Sequence, residues 1–293
     1  MALRPSRARS FLLVAAVYVV AFGVAFGVAA RLLSGLHPLW VIAAADLTAM
    51  LLVFAASAWL DNSSVYDAYW SVAPIANAGY LTAQAVDGDP LRQAIVVSLV
   101  CWWGVRLTYN WARGWSGLEH EDWRYEYFRR KTRRWYWALS FFGLHLFPTI
   151  QVYVGCLALW PALSAPRPLG WVDAAAALLT SSAVALEALA DRQLRGFVAG
   201  PKRPGAVLEQ GLWAWSRHPN YFGEILFWWG LGLFALAAEP TAYWALSGAL
   251  AISIMFRVVS IPLLERRMLE RRPAFAQVQT RVSMLLPLPP RQR

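Results

Sequence analysis

Eight long apolar runs, at 11–33, 39–60, 68–86, 91–112, 135–160, 170–190, 220–238 and 241–262, dominate this sequence and leave little room for a water-soluble fold. About 20 consecutive apolar residues in a helix cross the ~30 Å hydrocarbon core of a bilayer. Runs of this length predict an all-α, polytopic transmembrane helical bundle of seven to eight spans. Composition agrees, because 58% of the chain is hydrophobic and only 15% charged, where a soluble domain carries about 25% charged residues. The first run follows Arg4, Arg7 and Arg9 in the manner of a secretory signal peptide, but its length predicts a retained span. The third run is the weakest. It carries Pro74, Asn77, Gly79 and Gln84, which suit a broken, tilted or re-entrant segment.

A net charge of +10 invites a nucleic-acid reading, but the basic residues lie between apolar runs rather than on one solvated face. Eight spans starting from the cytoplasm leave four segments inside: the N-terminus, 113–134, 191–219 and the stretch from Arg257 onward. These hold 3, 7, 5 and 8 Lys and Arg, 23 of the chain's 27. That asymmetry is the positive-inside pattern, and it predicts both termini cytoplasmic in a multi-pass protein. The acidic loop 61–67 is a mild exception. Among the 17 tryptophans, Trp59, Trp70, Trp111, Trp115, Trp135, Trp160 and Trp171 fall near span ends and read as interfacial anchors. Cys101 and Cys156 both lie within apolar runs, which argues against a disulfide framework. With no repeat and no linker, residues 1–293 read as a single membrane domain.

The densest polar constellation follows the sixth run and enters the seventh: Glu187, Asp191, Gln193 and Arg195, then Ser216, Arg217, His218, Pro219, Asn220, Tyr221 and Glu224. An ionisable group inside a membrane is costly unless paired or wet, so these are functional candidates. Pro219 suits the first turn of a helix, which places the start of the seventh span beside it. Asn220, Glu224 and Trp228 then recur every four residues along one stripe. A helix start near Arg195 and Arg217 is a plausible anion site, suited to a phosphate-bearing cofactor. Glu187 and Asp191, four apart, share a face and require partners, with Arg192 and Arg195 in reach; the plainer alternative is a capping pair neutralised by loop arginines. His37, His120, His145 and His218 are scattered and predict no metal site. Asp46, inside the second run, and Arg106, near the end of the fourth, are each either paired or cavity-lining. Arg257 and Glu265 bracket Pro262, where closing a helix end is as good a reading as a ligand role.

The string Gly211-Leu-Trp-Ala-Trp-Ser-Arg-His-Pro-Asn-Tyr-Phe-Gly-Glu224, with Glu187 and Asp191-Arg-Gln upstream and Ser260-Ile-Pro-Leu-Leu-Glu265 downstream, resembles the steroid 5-alpha-reductase-like membrane protein family, in particular its bacterial branch of formerly unknown function. The resemblance is strongest over 187–290. It implies an NADPH-dependent reductase of a carbon–carbon double bond in a lipid-soluble, steroid-like or isoprenoid-like substrate. The cofactor-binding residues it implies are Arg106, in Trp-Trp-Gly-Val-Arg-Leu, with Glu187, Asp191, Arg195, Arg217, His218, Asn220, Tyr221 and Glu224. In this family a tyrosine supported by a carboxylate polarises the substrate carbonyl. Trp103 stands where that tyrosine would be, and an indole is no general acid, which counts against a 3-oxo-steroid reaction. Asp67, in Ser64-Val-Tyr-Asp-Ala-Tyr-Trp-Ser71, falls near the supporting carboxylate. Asp67 with Tyr69 is the expected catalytic pair, with Tyr66 and Tyr109 also near in sequence.

Short Arg-His-Pro-x-Tyr-x-Gly strings also resemble the isoprenylcysteine carboxyl methyltransferases, which use S-adenosylmethionine. Asn220 and the Phe-Gly-Glu ending at Glu224 favour the reductase. A non-catalytic lipid-binding protein of the same fold is the third reading. The partners expected are the bilayer and a hydrophobic small molecule, with no nucleic acid.

Overall fold

Capping residues and prolines mark out where each apolar run becomes a helix. In the computed structural model, which describes residues 6–33, 35–201 and 205–291, the elements are α1 (Arg7–Leu32), α2 (Pro38–Trp59), α3 (Tyr69–Gln84), α4 (Pro90–Gly114), α5 (Trp123–Thr132), α6 (Tyr136–Leu139), α7 (Phe147–Cys156), α8 (Leu159–Ser164), α9 (Trp171–Ala199), α10 (Pro219–Ala238), α11 (Ser247–Met255), α12 (Ile261–Arg271) and α13 (Phe275–Arg281). Pro38, Pro90 and Pro219 each occupy a first turn, where a missing N–H costs nothing. His37 and Asp89 cap the first two of these: His37 Nδ1 accepts from Leu39 N at 3.2 Å, and Asp89 Oδ1 accepts from Leu91 N and Arg92 N at 3.0 and 2.9 Å. Among the described residues no strand forms; one parallel bridge joins Ser216 and Ser283.

Among the described residues six helical stretches are long and apolar enough to cross a membrane: Arg7–Ala29, Pro38–Trp59, Trp123–Ser164, Trp171–Ala199, Pro219–Ala238 and Tyr243–Arg271. The protein is an all-helical, multi-pass membrane protein. The runs at 68–86 and 91–112 also fold as helices, α3 and α4. The first has 16 residues, and the second dilutes its apolar run with Gln93, Arg106 and Asn110. Pro74 lies inside α3, which continues past it as one helix.

The chain forms two compact units, Met1–Pro166 and Arg167–Arg293. In the first, α1 lies along α2, and α3 packs against α2, α4, α7 and α8. The tryptophans divide by this packing. Trp59, Trp135 and Trp171 are exposed at helix ends, as anchors should be. Trp111 and Trp115 instead stack on each other at 5.0 Å and receive Phe11 edge-on, while Arg7 Nε donates to the Trp115 carbonyl at 2.9 Å. Those two join α4 to α1; the aromatic surface buried there outweighs an interfacial position.

Two stretches widen into π-helix, Ser140–Leu146 and Phe256–Ser260, and each is followed within two residues by a proline, Pro148 or Pro262. A proline removes one backbone donor and its ring presses on the preceding turn; a wide turn relieves that clash without ending the helix.

The second unit is built on the α9–α10 hairpin. Glycines bring these helices together. A Cβ at Gly223 would stand 2.9 Å from both the Ala183 carbonyl and Glu187 Cβ, and one at Gly230 only 2.1 Å from Thr180 Oγ1. Seven residues apart, the two lie along the seam facing α9.

Candidate functional site

Along the α9–α10 seam Glu187 and Asp191 on α9 and Glu224 on α10 are buried, at 4%, 8% and 2% exposure. The four-residue spacing puts the first two on one face, and Gly223 lets α10 approach the turn that carries Glu187. Glu224 Oε1 accepts from Trp228 Nε1 at 2.8 Å, one turn along the stripe read from the sequence. Asn220 and Tyr221 lie half-buried in the first turn of α10, and Arg192 and Arg195 are exposed on the last turns of α9. This seam offers hydrogen-bond acceptors beside a helix N-terminus and cations at the end of the hairpin. It suits a ligand with hydroxyl or amide donors at one end and phosphate at the other.

Arg217 and His218 lie just before this helix but face elsewhere. The Arg217 guanidinium donates to Glu265 from Nε at 2.7 Å and from Nη2 at 3.4 Å, and its Nη1 donates to the carbonyls of Gln279 and Val282 at 3.0 and 2.6 Å. His218 Nε2 is 2.9 Å from Glu265 Oε1, and Gln279 Nε2 donates to Oε2 at 2.7 Å. Ser216 Oγ donates to the Leu285 carbonyl at 2.7 Å, Arg217 N to that of Ser283 at 2.9 Å, and Leu288 N to that of Trp215 at 3.1 Å. The Ser-Arg-His segment is therefore a strap holding the C-terminal residues. Arg217 and His218, expected at the cofactor, are thereby engaged with Glu265, and Arg217 also with the C-terminal residues. The His218 ring stacks on Tyr221 at 5.6 Å, and Tyr221 packs on Phe256 at 4.6 Å, so the strap also fixes a ring in the first turn of α10. Glu265, which the sequence left between two readings, is the hub.

In the first unit Asp67 and Tyr69 do not pair. Two residues apart at a helix start, their side chains diverge. The Tyr69 hydroxyl donates to the Asp46 carbonyl at 2.7 Å, and its ring stacks on Tyr66 at 4.9 Å and Phe22 at 5.4 Å. Asp67 instead accepts from the hydroxyl of Tyr125, on α5, at 2.5 Å. Burial pushes the Asp67 carboxyl up from 3.8 to about 6, held back by the nearby Arg124 charge and the Tyr125 hydrogen bond. A carboxyl that titrates near 6 and shares a short hydrogen bond with a phenol can hold and pass a proton. Tyr66 is engaged with Thr149 Oγ1 at 2.8 Å, and Tyr109 is 60% exposed. Trp103 is fully buried, edge-on to Trp70 at 6.1 Å, and Arg106 lies half-buried one turn beyond it on α4.

Tyr125 was missed because it lies 58 residues from Asp67, in a segment whose arginines read as a solvated loop. The one sequence signal is that Asp122 Oδ1 caps α5, accepting from Arg124 N at 2.9 Å, so that Tyr125 falls in an ordered first turn. Among the described residues no three of His, Cys, Asp and Glu converge as metal ligands.

An uncharacterized protein of Schizosaccharomyces pombe is 28% identical, across 79% of this chain and 74% of that relative. No solved structure matches. A family profile described as a protein of unknown function, DUF1295, matches residues 53–282, which takes in α10, the strap and the Asp67 turn. The chain belongs to the DUF1295 family of proteins of unknown function.

Proposed function

We propose that this protein is an NADPH-dependent reductase of a carbon–carbon double bond in a lipid-soluble substrate, working from a membrane with both of its ends in the cytoplasm. The observation that carries the reading is the seam of three buried carboxylates, Glu187, Asp191 and Glu224, on two helices otherwise apolar enough to cross a membrane. Ionisable groups within membrane helices are rare and mark functional sites. The resemblance of the Gly211–Glu224 string to steroid 5-alpha-reductase-like proteins adds support.

The donor set fits the cofactor. Glu224 and Asn220 are suited to a carboxamide or neighbouring sugar, Glu187 and Asp191 to ribose hydroxyls, and the exposed Arg192 and Arg195 to phosphate. NADPH, when bound, supplies the hydride. The strap on Glu265 orients the first turn of α10, and Tyr221 is held in place between His218 and Phe256. In the first unit Asp67 is bonded to Tyr125 rather than to Tyr69, and that pair is the proton-holding group there. Trp103, packed against Trp70, supplies no acid.

Thermal unfolding of the detergent-purified protein tests this directly. A ligand present at 100 times its dissociation constant adds ~2.7 kcal/mol to the folded state. NADPH is expected to raise the midpoint where NADH and S-adenosylmethionine do not, and Glu224→Gln to lose that rise while keeping the apo midpoint. Stabilisation by S-adenosylmethionine alone would move the assignment to a methyltransferase; stabilisation by none of the three would leave a non-catalytic lipid-binding protein.

A further inference from the structure

Asp46 lies in the body of α2, an otherwise apolar helix, and is 1% exposed. Opposite it on α3 is Asn77, also fully buried, whose Nδ2 donates to Asp46 Oδ2 at 2.9 Å. The remaining oxygens, Asp46 Oδ1 and Asn77 Oδ1, are buried and have no hydrogen-bond partner among the described residues. Three side-chain oxygens thus share the donors of a single amide. Turning that amide over exchanges its ends but not the count.

The titratable groups facing Asp46 are Tyr66 of the Ser63–Tyr66 turn, Tyr69 of α3, and Tyr153 and Cys156 of α7. None carries a fixed positive charge, and the Tyr69 hydroxyl is directed at the Asp46 main-chain carbonyl rather than its carboxyl. An ionised carboxylate here would be a buried charge without a counter-ion, which costs several kcal/mol or more. A divalent cation would require six or more oxygen ligands. A single hydrogen on the carboxyl removes the charge and supplies the missing donor together.

We propose that the Asp46–Asn77 pair is a proton-binding site inside the helices of the first unit, holding one exchangeable proton on Asp46 at neutral pH. Acids placed in this way mark proton paths in membrane proteins. The site takes a proton whether or not the protein binds a nicotinamide, so its test is separate from that of the reductase reading.

Two measurements on the full-length protein in detergent decide it. Infrared spectra at neutral pH are expected to show the carbonyl stretch of a protonated carboxyl that shifts on carbon-13 labelling of aspartate and is lost in Asp46→Asn. Isotope labelling keeps the first result readable should that variant fail to fold. Dicyclohexylcarbodiimide, which adds to protonated carboxyls in apolar surroundings, is expected to modify Asp46, with the yield falling as pH rises. Absence of the protonated band at neutral pH overturns the proposal. So does protection of Asp46 from the reagent by sodium at constant pH, since the ligand would then be a metal cation.

Discussion

Glu265 is the group whose removal the structure makes most consequential outside the acidic seam. It accepts from Arg217 twice, from His218 and from Gln279, with its own side chain and that of Arg217 each 8% exposed. Glu265→Ala leaves the Arg217 cation buried against two main-chain carbonyls with no counter-charge. Breaking one side of a buried ion pair costs ~3–5 kcal/mol. The loss falls on the strap, so it should appear as local opening rather than global unfolding. At ~1.4 kcal/mol per tenfold change, the lower figure corresponds to about a hundredfold faster exchange. The reporters are the Leu288 amide, bonded to Trp215, and the Arg217 amide, bonded to Ser283. Hydrogen exchange read by mass spectrometry on peptides spanning these residues should show acceleration there and none in α1. Glu265→Gln keeps an acceptor and should cost ~1.5–3 kcal/mol, the value of a charged hydrogen bond. Unchanged exchange at both reporters in Glu265→Ala would refute the claim that this carboxylate holds the C-terminal residues.

Asp67 gives the first unit a pH dependence of definite sign. Its folded value, about 6, lies above the ordinary 3.8, so the folded state binds the proton more tightly. That contribution is fully present below 3.8 and lost as pH rises through about 6; Asp67→Asn should flatten the stability profile over this window in urea titrations. Tyr125→Phe removes a hydrogen bond that favours the ionised carboxylate, so the midpoint of the same profile should move to higher pH; a move downward would contradict the pairing. Gly223→Ala and Gly230→Ala force a methyl group into the α9–α10 seam and should each cost ~1–3 kcal/mol by thermal unfolding. Gly196→Ala, with nothing within 4 Å of its Cβ, should be neutral or stabilising by up to ~1 kcal/mol.

The parts of this molecule that could be read in advance depend on local chemistry. Pro219 opens α10 where its missing donor said it would, and Glu224 and Trp228 share the stripe that helical spacing gives them. Glu187 and Asp191 came out buried on one face because four residues make one turn. What escaped depends on residues far apart in the chain. Nothing near Arg217 announces Glu265, 48 residues on, or the carbonyls of Gln279 and Val282. Asp67 was paired with Tyr69 because the two are neighbours in sequence, whereas α-helical geometry turns neighbours apart and a distant tyrosine fills the gap. Trp111 and Trp115 followed the rule for membrane-edge indoles until Phe11 supplied a better contact.

The strap also constrains the order in which the protein can be made. Ser216 closes on Leu285, 69 residues further along the chain, so while the ribosome is still adding those residues the start of α10 has only its own helix and α9 to lean on. Insertion of the α9–α10 hairpin into the bilayer can precede this closure, but the Tyr221 ring takes its final seat only once residues 283–288 have been made and folded back. Removing residues 283–288 would therefore disturb a turn some seventy positions upstream.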